Sequence, residues 1–332
     1  MRDELGRWQG SMLSPQVLQV YPVPPACYNL RDRLISVVIA MSLYLGCPIW
    51  SFKGWVGSFY PEGTKPADFL REYARRLNTV EGNTTFYATP APEKAERWIK
   101  ETPDTFRFCL KVPRIVSHAG KLEVHLDEAR QFLDAMSMLA TRLGPLFLQL
   151  PPSYSPALLT DLQTFLESWP RQADLAVEVR HLGWFDASHH SALNALLAEY
   201  EFARVVIDTR PIRDLRGDKI LQGSVYQRLL EARQRKPDLP VLPERTAPFV
   251  FLRYIGHPQM EQNVPFLDEW AEFLAEQLQE GITAYVFCHC PDERLDPWLC
   301  RAIHQRVAAR LPISPLPWDE VDSSQEEQPR LL

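Results

Sequence analysis

Cysteine is scarce in this sequence, with six in 332 residues. Six cysteines at irregular spacings do not make a disulfide framework in so long a chain, so we expect reduced, buried thiols and a cytoplasmic protein. No apolar run has the roughly 20 residues that a membrane helix needs, and we expect no membrane association. The run at residues 34–45, followed by Gly46-Cys47, is too short. Cleavage there as a lipoprotein signal would also remove the first predicted strand.

Sequence signatures of several common enzyme classes are missing. The sequence contains no G-x-G-x-x-G turn of a dinucleotide-binding sheet, no G-x-S-x-G of a serine hydrolase, no GxxxxGK[ST] phosphate loop and no H-E-x-x-H zinc motif. An excess of positive charge is missing too, because 36 Lys and Arg residues stand against 42 Asp and Glu, for a net charge of -6. That balance argues against a protein held to DNA by a broad positive surface.

Short apolar runs alternate regularly with longer amphipathic stretches. Between the runs, apolar residues such as Phe69, Tyr73 and Leu77 recur every four residues, which predicts helices. In the sixth unit only residues 225–235 resemble a helix. The eight runs have the length of buried strands and cover residues 43–47, 79–81, 106–112, 146–150, 175–179, 203–208, 249–255 and 284–288.

This alternation predicts an α/β protein whose parallel strands are connected by helices. Eight such units in about 270 residues match a TIM-type (β/α)8 barrel. A doubly wound open sheet is the alternative, which the missing glycine-rich turn disfavours. We expect a single barrel domain at residues 41–311, after a poorly structured extension at 1–40 and before a mobile tail at 312–332.

Polar side chains stand at the end of one predicted strand after another. Residues two apart on a strand share a face, so Glu81 and Asn83 point the same way. In a barrel the strand ends meet at one mouth, where barrel enzymes carry their chemistry. The residues predicted at this mouth are Glu81, Asn83, Lys111, Gln149, Glu178, Arg180, Asp208, Arg253 and His289.

The mixed charge of these mouth residues indicates a small anionic or sugar-like substrate. Cations hold such a substrate while a carboxylate with a shifted pKa moves a proton. Our first hypothesis is therefore an enzyme of hydrolase or lyase/isomerase type. We predict acid/base roles for Glu81, Glu178, Asp208 and the loop residue His118, and substrate contacts for Asn83, Lys111, Gln149, Arg180, Arg253 and His289.

We predict no cofactor for this reaction. A divalent metal prefers an excess of carboxylate and imidazole ligands, whereas here cations compete for the carboxylates. A metal remains the alternative, with the ligands Glu81, Glu178, Asp208 and His289.

Two tryptophans flank the predicted mouth, Trp50 after the first strand and Trp184 after the fifth. We assign both to substrate binding, with packing in the barrel core as the alternative. Stacking of Trp50 and Trp55 on bases would suit a second hypothesis, a nucleic-acid-binding or phosphodiester-processing protein. A third is a non-catalytic ligand-binding barrel, because fold alone does not specify function. The sequence does not indicate an oligomeric state.

Several segments resemble the YecE-like family, also called domain of unknown function 72. They are Gly46-Cys47-Pro48-Ile49-Trp50-Ser51-Phe52, Thr79-Val80-Glu81-Gly82-Asn83-Thr84-Thr85-Phe86-Tyr87, Gln149-Leu150-Pro151-Pro152-Ser153 and Val177-Glu178-Val179-Arg180-His181. The resemblance covers residues 43–307 and implies a TIM-type barrel, similar in shape to the metal-dependent endonuclease IV and xylose isomerase barrels. It implies no reaction, and it places the family's polar positions at His118 and at all the mouth residues except His289. The chain departs from the family pattern at residues 46–49 and at Cys288-His289.

Overall fold

Eight short strands, each parallel to its neighbours, lie at the centre of the chain. The computed structural model describes residues 42–170 and 173–326. All eight predicted strands are confirmed, with ends that differ by no more than two residues. They are β1 (Leu43–Gly46), β2 (Thr79–Gly82), β3 (Arg107–Leu110), β4 (Leu146–Gln149), β5 (Leu175–Glu178), β6 (Ala203–Asp208), β7 (Phe249–Ile255) and β8 (Thr283–His289).

Helices connect the strands, as the alternation predicts. In the sixth unit, where the sequence has the least helical character, the structure has a helix at Gly223–Arg235, as expected. In the part of the chain that the structure describes, the helices are α1 (Phe69–Ala74), α2 (Pro92–Glu101), α3 (Arg114–Ser117), α4 (Leu126–Met136), α5 (Leu159–Ser168), α6 (Ala187–Glu199), α7 (Arg210–Arg213), α8 (Gly223–Arg235), α9 (Met260–Gln279), α10 (Asp296–Ala308) and α11 (Pro317–Glu326).

The strands form a curled parallel sheet. Six of them hydrogen-bond in the order β1-β8-β7-β6-β5-β4, and β2 pairs with β3. Backbone hydrogen bonds connect that pair to both edges of the larger sheet: Glu81 N–H donates to Cys47 O at 3.0 Å, and Val112 N–H donates to Phe147 O at 2.9 Å. The predicted α/β fold with parallel strands is therefore confirmed.

Side chains along each strand alternate between two faces of the sheet. On one face Phe147, Phe251 and Phe287 belong to a small buried cluster that the strands build among themselves. On the other face residues such as Leu148 and Leu252 join the large core shared with the helices. Two residues beyond each phenylalanine, the first face continues with Gln149, Arg253 and His289, so this face delivers the polar residues at the strand ends.

The segment predicted as a mobile tail contains a packed helix, α11. Trp318 on this helix is buried, and its ring centroid lies 4.9 Å from those of Phe59 and Trp298. Its backbone N–H donates to Arg76 O at 3.2 Å. The prediction weighed the proline and glutamate content of the tail, whereas the large apolar area of one indole side chain holds α11 against the core.

The predicted extension at residues 1–40 lies outside the described residues. Among the helices that the structure describes, none combines the length and the apolar character needed to cross a bilayer.

Candidate functional site

A pocket of about 820 Å³ opens at the carboxyl ends of the strands. The strand ends supply one part of its wall, and α8 with the loops after β1, β2, α8 and β8 supplies the rest. Six of the residues predicted at the mouth line it, namely Asn83, Lys111, Gln149, Arg180, Arg253 and His289. The sequence-based prediction that these side chains meet at one opening is supported by this placement.

Arg253 is the centre of a buried ion-pair set. Its Nε and Nη2 donate to the two carboxylate oxygens of Glu81 at 2.7 and 2.9 Å, and its Nη1 donates to Glu178 at 2.8 Å. Arg180 Nε donates to the other oxygen of Glu178 at 2.6 Å. Bidentate pairs of this kind fix the geometry of both partners. The guanidinium of Arg253 also lies 4.9 Å from the ring centre of Phe147, the side chain below it.

Both carboxylates of this set stay ionised. Burial alone would raise the pKa of Glu178, but Arg180 and Arg253 outweigh it and lower the pKa to about 2. Burial alone would also raise the pKa of Glu81, but Arg253 and His289 lower it well below its usual value. A general base works best with a pKa near the operating pH. Glu81 and Glu178 hold Arg253 in position, and their lowered pKa values do not favour the acid/base role predicted from sequence.

His289 and Asn83 complete the environment of Glu81. Asn83 Nδ2 donates to one carboxylate oxygen at 2.8 Å, and His289 Nε2 lies 3.2 Å from the other. Burial lowers the pKa of His289 to about 4 although Glu81 opposes this, so the ring is neutral near pH 7. An ionised carboxylate only accepts hydrogen bonds, so Nε2 carries the hydrogen and Nδ1 is left as an acceptor.

Lys111 is a pocket cation that loses its proton at lower pH than an ordinary lysine. Its Nζ donates to Gln149 Oε1 at 3.0 Å and lies 4.1 Å from the centre of the Phe86 ring. Burial, followed by the charge of Arg253, lowers the pKa of Lys111 to about 8.

Lys236 is a second such cation, and the sequence did not reveal it. It follows α8 and lines the pocket, and burial, followed by Arg253, lowers its pKa to about 8. Its ammonium group forms no ion pair or hydrogen bond within residues 42–170 and 173–326. The only sequence signal is that Lys236 and Pro237 end the helix predicted at residues 225–235. Nothing in that pattern indicates a side chain turned toward strands that are distant in the sequence.

The inner pocket has more cations than carboxylates. Four cations lie around the two ionised carboxylates Glu81 and Glu178, namely Lys111, Arg180, Lys236 and Arg253. The Nη groups of Arg180 have no hydrogen-bond partner among the described residues. Charges farther out pair with each other, as Arg294 does with Asp292 at 2.6 Å and Arg235 with Glu231 at 3.3 Å. The positive charge of the inner pocket is thus available to an anion.

Asp208 does not join the pocket, which corrects its predicted acid/base role. Its carboxylate accepts hydrogen bonds from Arg210 Nη2 at 2.9 Å and from Trp270 Nε1 on α9 at 2.7 Å. The reason is the alternation of side chains along β6. Val205 belongs to the cluster on the pocket face, so Asp208, three positions later, points to the helix layer.

Neither Trp50 nor Trp184 lines the pocket, so the core alternative holds for both. Trp184 is fully buried, and its Nε1 donates to Tyr154 O at 2.7 Å. Trp50 packs nearly perpendicular to Trp98, with ring centroids 5.5 Å apart. The nucleic-acid hypothesis loses with Trp50 one of the two side chains expected to stack on bases, and the other, Trp55, is fully buried.

His118 lies behind the pocket wall rather than in it. Its Nδ1 is 2.8 Å from Ser117 Oγ, and its ring contacts the Phe86 ring edge-on at 5.1 Å between centroids. Burial, followed by the charge of Lys111, lowers the pKa of His118 to about 4. Because Phe86 separates it from the pocket, His118 supports the wall and does not carry the predicted acid/base role.

The alternative metal site is not assembled. Asp208 lies on the other face of the sheet, and Arg253 occupies the space between Glu81 and Glu178. In the described part of the chain, no three His, Cys, Asp or Glu side chains are arranged to hold a metal ion. The donor set therefore does not fit the metal that the barrels of similar shape would imply.

Comparisons with known proteins place this chain in a family. Residues 44–321 match the family described as protein of unknown function DUF72. The UPF0759 protein YecE of Escherichia coli K12 is 36% identical over 271 residues, which cover 81% of this chain and 94% of that protein.

Solved structures show the same fold. A DUF72 family protein from Enterococcus faecalis V583 superposes with a TM-score of 0.60 at 16% identity, over 82% of this chain and 98% of its own. A DUF72 family protein from Thermotoga maritima MSB8 gives a TM-score of 0.56 at 22% identity, over 81% of this chain and 100% of its own. The resemblance expected from the sequence motifs is thereby confirmed, and the chain belongs to the DUF72 family of proteins of unknown function.

Proposed function

We propose that this protein is an enzyme that acts on a small anionic substrate in the pocket at the strand ends. The observation that carries the proposal is the excess of cations in the inner pocket. Lys111, Arg180 and Lys236 have donors free to bind an anion, since the two buried carboxylates are already held by arginine side chains. Charge-assisted hydrogen bonds from such groups are the strong contacts by which proteins hold phosphate or carboxylate.

In this proposal the proton is transferred by the amine of Lys111 and not by a carboxylate. Lys111, with a pKa of about 8, exchanges a proton near neutral pH and is the general acid of this proposal. Nδ1 of His289 accepts a hydrogen bond from the substrate. Asn83 and Gln149 orient the substrate from the pocket wall, and Arg253 stabilises negative charge that develops near it.

Inorganic phosphate tests the anion site. It should raise the melting temperature of the wild type and of Lys65→Met, an exposed control, because a ligand that binds only the folded state stabilises it. The double variant Lys111→Met, Lys236→Met should lose this rise while keeping its circular dichroism spectrum. An equal rise in all three proteins would place the anion elsewhere and overturn the proposal.

Catalysis is tested separately from binding. The wild type and Lys111→Met are incubated with a mixture of small phosphorylated and carboxylated compounds, which is followed by NMR. The proposal expects one component to be consumed by the wild type only. Binding without any consumption decides for the alternative of a non-catalytic ligand-binding barrel.

We also propose that the eight strands close into a TIM-type (β/α)8 barrel. The hydrogen bonds from Glu81 N–H to Cys47 O and from Val112 N–H to Phe147 O support this closure on both sides of the β2–β3 pair. Closed strands protect these amides, so both should exchange with deuterium as slowly as amides inside β7. Exchange as fast as in surface loops would show an open sheet.

We place the protein in the cytoplasm. Five cysteines in the described residues are free thiols, as is usual in a reducing compartment. Cell fractionation with an antibody against the chain checks this placement.

A further inference from the structure

Asp296 is a pocket residue that the proposed reaction does not use. It opens α10, lines the pocket and is fully buried by the surrounding protein. Neither oxygen of its carboxyl group has a hydrogen-bond partner among the described residues. Nearby Asp292 differs, because Arg294 holds both of its oxygens. A buried polar group without a partner is rare, since removal from water costs free energy that a hydrogen bond normally offsets.

The surroundings of Asp296 keep its carboxyl group neutral. Burial, with the charge of Glu293 adding to it, raises the pKa of Asp296 well above its usual value. The charge of Lys236 opposes this only in part. A neutral carboxyl group has one O–H donor and a carbonyl acceptor, so it suits a hydroxyl or carbonyl oxygen better than an anion.

We propose that Asp296 binds a hydroxyl or carbonyl oxygen of a sugar phosphate whose phosphate group lies on Lys111, Arg180 and Lys236. This inference rests on the proposed function and names its substrate class. It assigns to Asp296 the selection of the neutral, polar part of the substrate.

The size and charge of the pocket favour a sugar phosphate over a bare anion. A phosphate monoester carries nearly two negative charges at pH 7, which matches the two cations in excess over carboxylates in the inner pocket. The volume of about 820 Å³ exceeds what inorganic phosphate needs and lies within the range of pockets for larger small molecules. Phe52 and Phe86 line the same space and offer apolar surfaces to the C–H groups of a sugar.

Lys236 links the two parts of the pocket. Its charge acts on Glu81, Glu178 and Arg253 at the inner end and on Asp296 at the other. Because Lys111, Arg180, Lys236 and Asp296 line one pocket, a single ligand can contact residues of both ends.

Calorimetric titration with inorganic phosphate and with ribose 5-phosphate and glucose 6-phosphate tests the assignment. The wild type should bind one of the two sugar phosphates at least tenfold more tightly than phosphate. Asp296→Leu, similar in size but without a polar group, should lose that tenfold preference and keep its phosphate affinity. Asp296→Asn, which still offers a neutral N–H donor, should retain most of the preference, and Asp127→Asn is the exposed control.

Each result decides one claim. A wild type that binds phosphate but does not prefer either sugar phosphate overturns the role of Asp296 and leaves the anion site standing. An unchanged preference in Asp296→Leu does the same, and if this variant does not fold, Asp296→Ala replaces it in the comparison. A wild type that binds none of the three compounds overturns the proposed function itself.

Discussion

Arg253 and Glu81 form a two-point ion pair across 172 residues of sequence, with both nitrogen–oxygen distances below 3.0 Å. Arg253 is 3% exposed and Glu81 is fully buried, so water cannot replace either partner. The pair therefore ties the positively charged end of β7 to β2 on the pocket face, and it makes the strand ends a rigid base for the lysines above it.

Removing Arg253 should destabilise the protein strongly. Arg253→Met leaves Glu81 and Glu178 buried with too few partners, and breaking a buried ion pair in this way costs about 3–5 kcal/mol. Urea denaturation at pH 7 measures the loss. The control Arg71→Met removes an exposed pair with Asp68 and should change the free energy of unfolding by less than about 1 kcal/mol. Equal losses in the two variants would contradict the central position of Arg253.

Lys111 and Lys236 should titrate near pH 8, more than two units below an ordinary lysine. Both amines lose charge as the pH rises through 8, so affinity for phosphate should fall over that interval. NMR of the reductively ¹³C-methylated protein measures the titration directly. Lys111→Arg should remove one of the two shifted signals and Lys236→Arg the other. If neither variant removes a signal that titrates near pH 8, the assignment is wrong.

His289 should stay neutral well below pH 6, and this makes stability depend on pH. In the unfolded chain histidine takes up a proton near pH 6.5, whereas in the folded protein His289 does so only at about 4. The unfolded state therefore binds more protons between these values, and stability falls as the pH drops from 6.5 to 4.

Melting temperatures between pH 7 and 4 test this dependence. His289→Gln should have a flatter profile than the wild type, although His118 and His257, whose pKa values are also lowered, preserve part of the slope. The exposed His189→Gln should follow the wild type. An imidazole ¹⁵N spectrum at pH 7 should show His289 with its hydrogen on Nε2, and a doubly protonated ring there would refute the proposed state.

Asp208→Asn should leave phosphate affinity unchanged. Its carboxylate contacts Arg210 and Trp270 outside the pocket, so the expected effect is a loss of stability of about 1–3 kcal/mol from weaker buried hydrogen bonds. The phosphate titration and urea denaturation of this variant check the two statements. A loss of phosphate affinity at unchanged stability would show that Asp208 contributes to the anion site.

Much of this site could be predicted from local sequence because strand ends are visible there. Glu81, Lys111 and Arg253 each lie within two residues of the end of an apolar run. The parallel arrangement of these runs brings the three side chains together. Asp208 ends a run too, but on the other face. The sequence does not show which face of β6 points to the pocket; the structure places Val205 on that face, so Asp208, an odd number of residues later, lies on the other.

Other features depend on contacts that no local pattern encodes. The pKa values of Glu81 and Glu178 depend on Arg253, which lies 75 residues beyond Glu178 in the sequence. Lys236 reaches the pocket from a proline-rich loop, where a lysine ordinarily faces water. The sequence allows Trp184 to be either a stacking surface or a core residue. The hydrogen bond from its indole N–H to Tyr154 O, which places it in the core, joins residues 30 positions apart.

The helix α8 supplies part of the pocket wall through Arg228 and Arg235, neither of which belongs to a strand. Exchanging side chains on α8 therefore leaves the Arg253 ion-pair set and the sheet intact. Ligand choice can therefore be changed on this one helix without altering the strands, so α8 is the place to graft a new specificity.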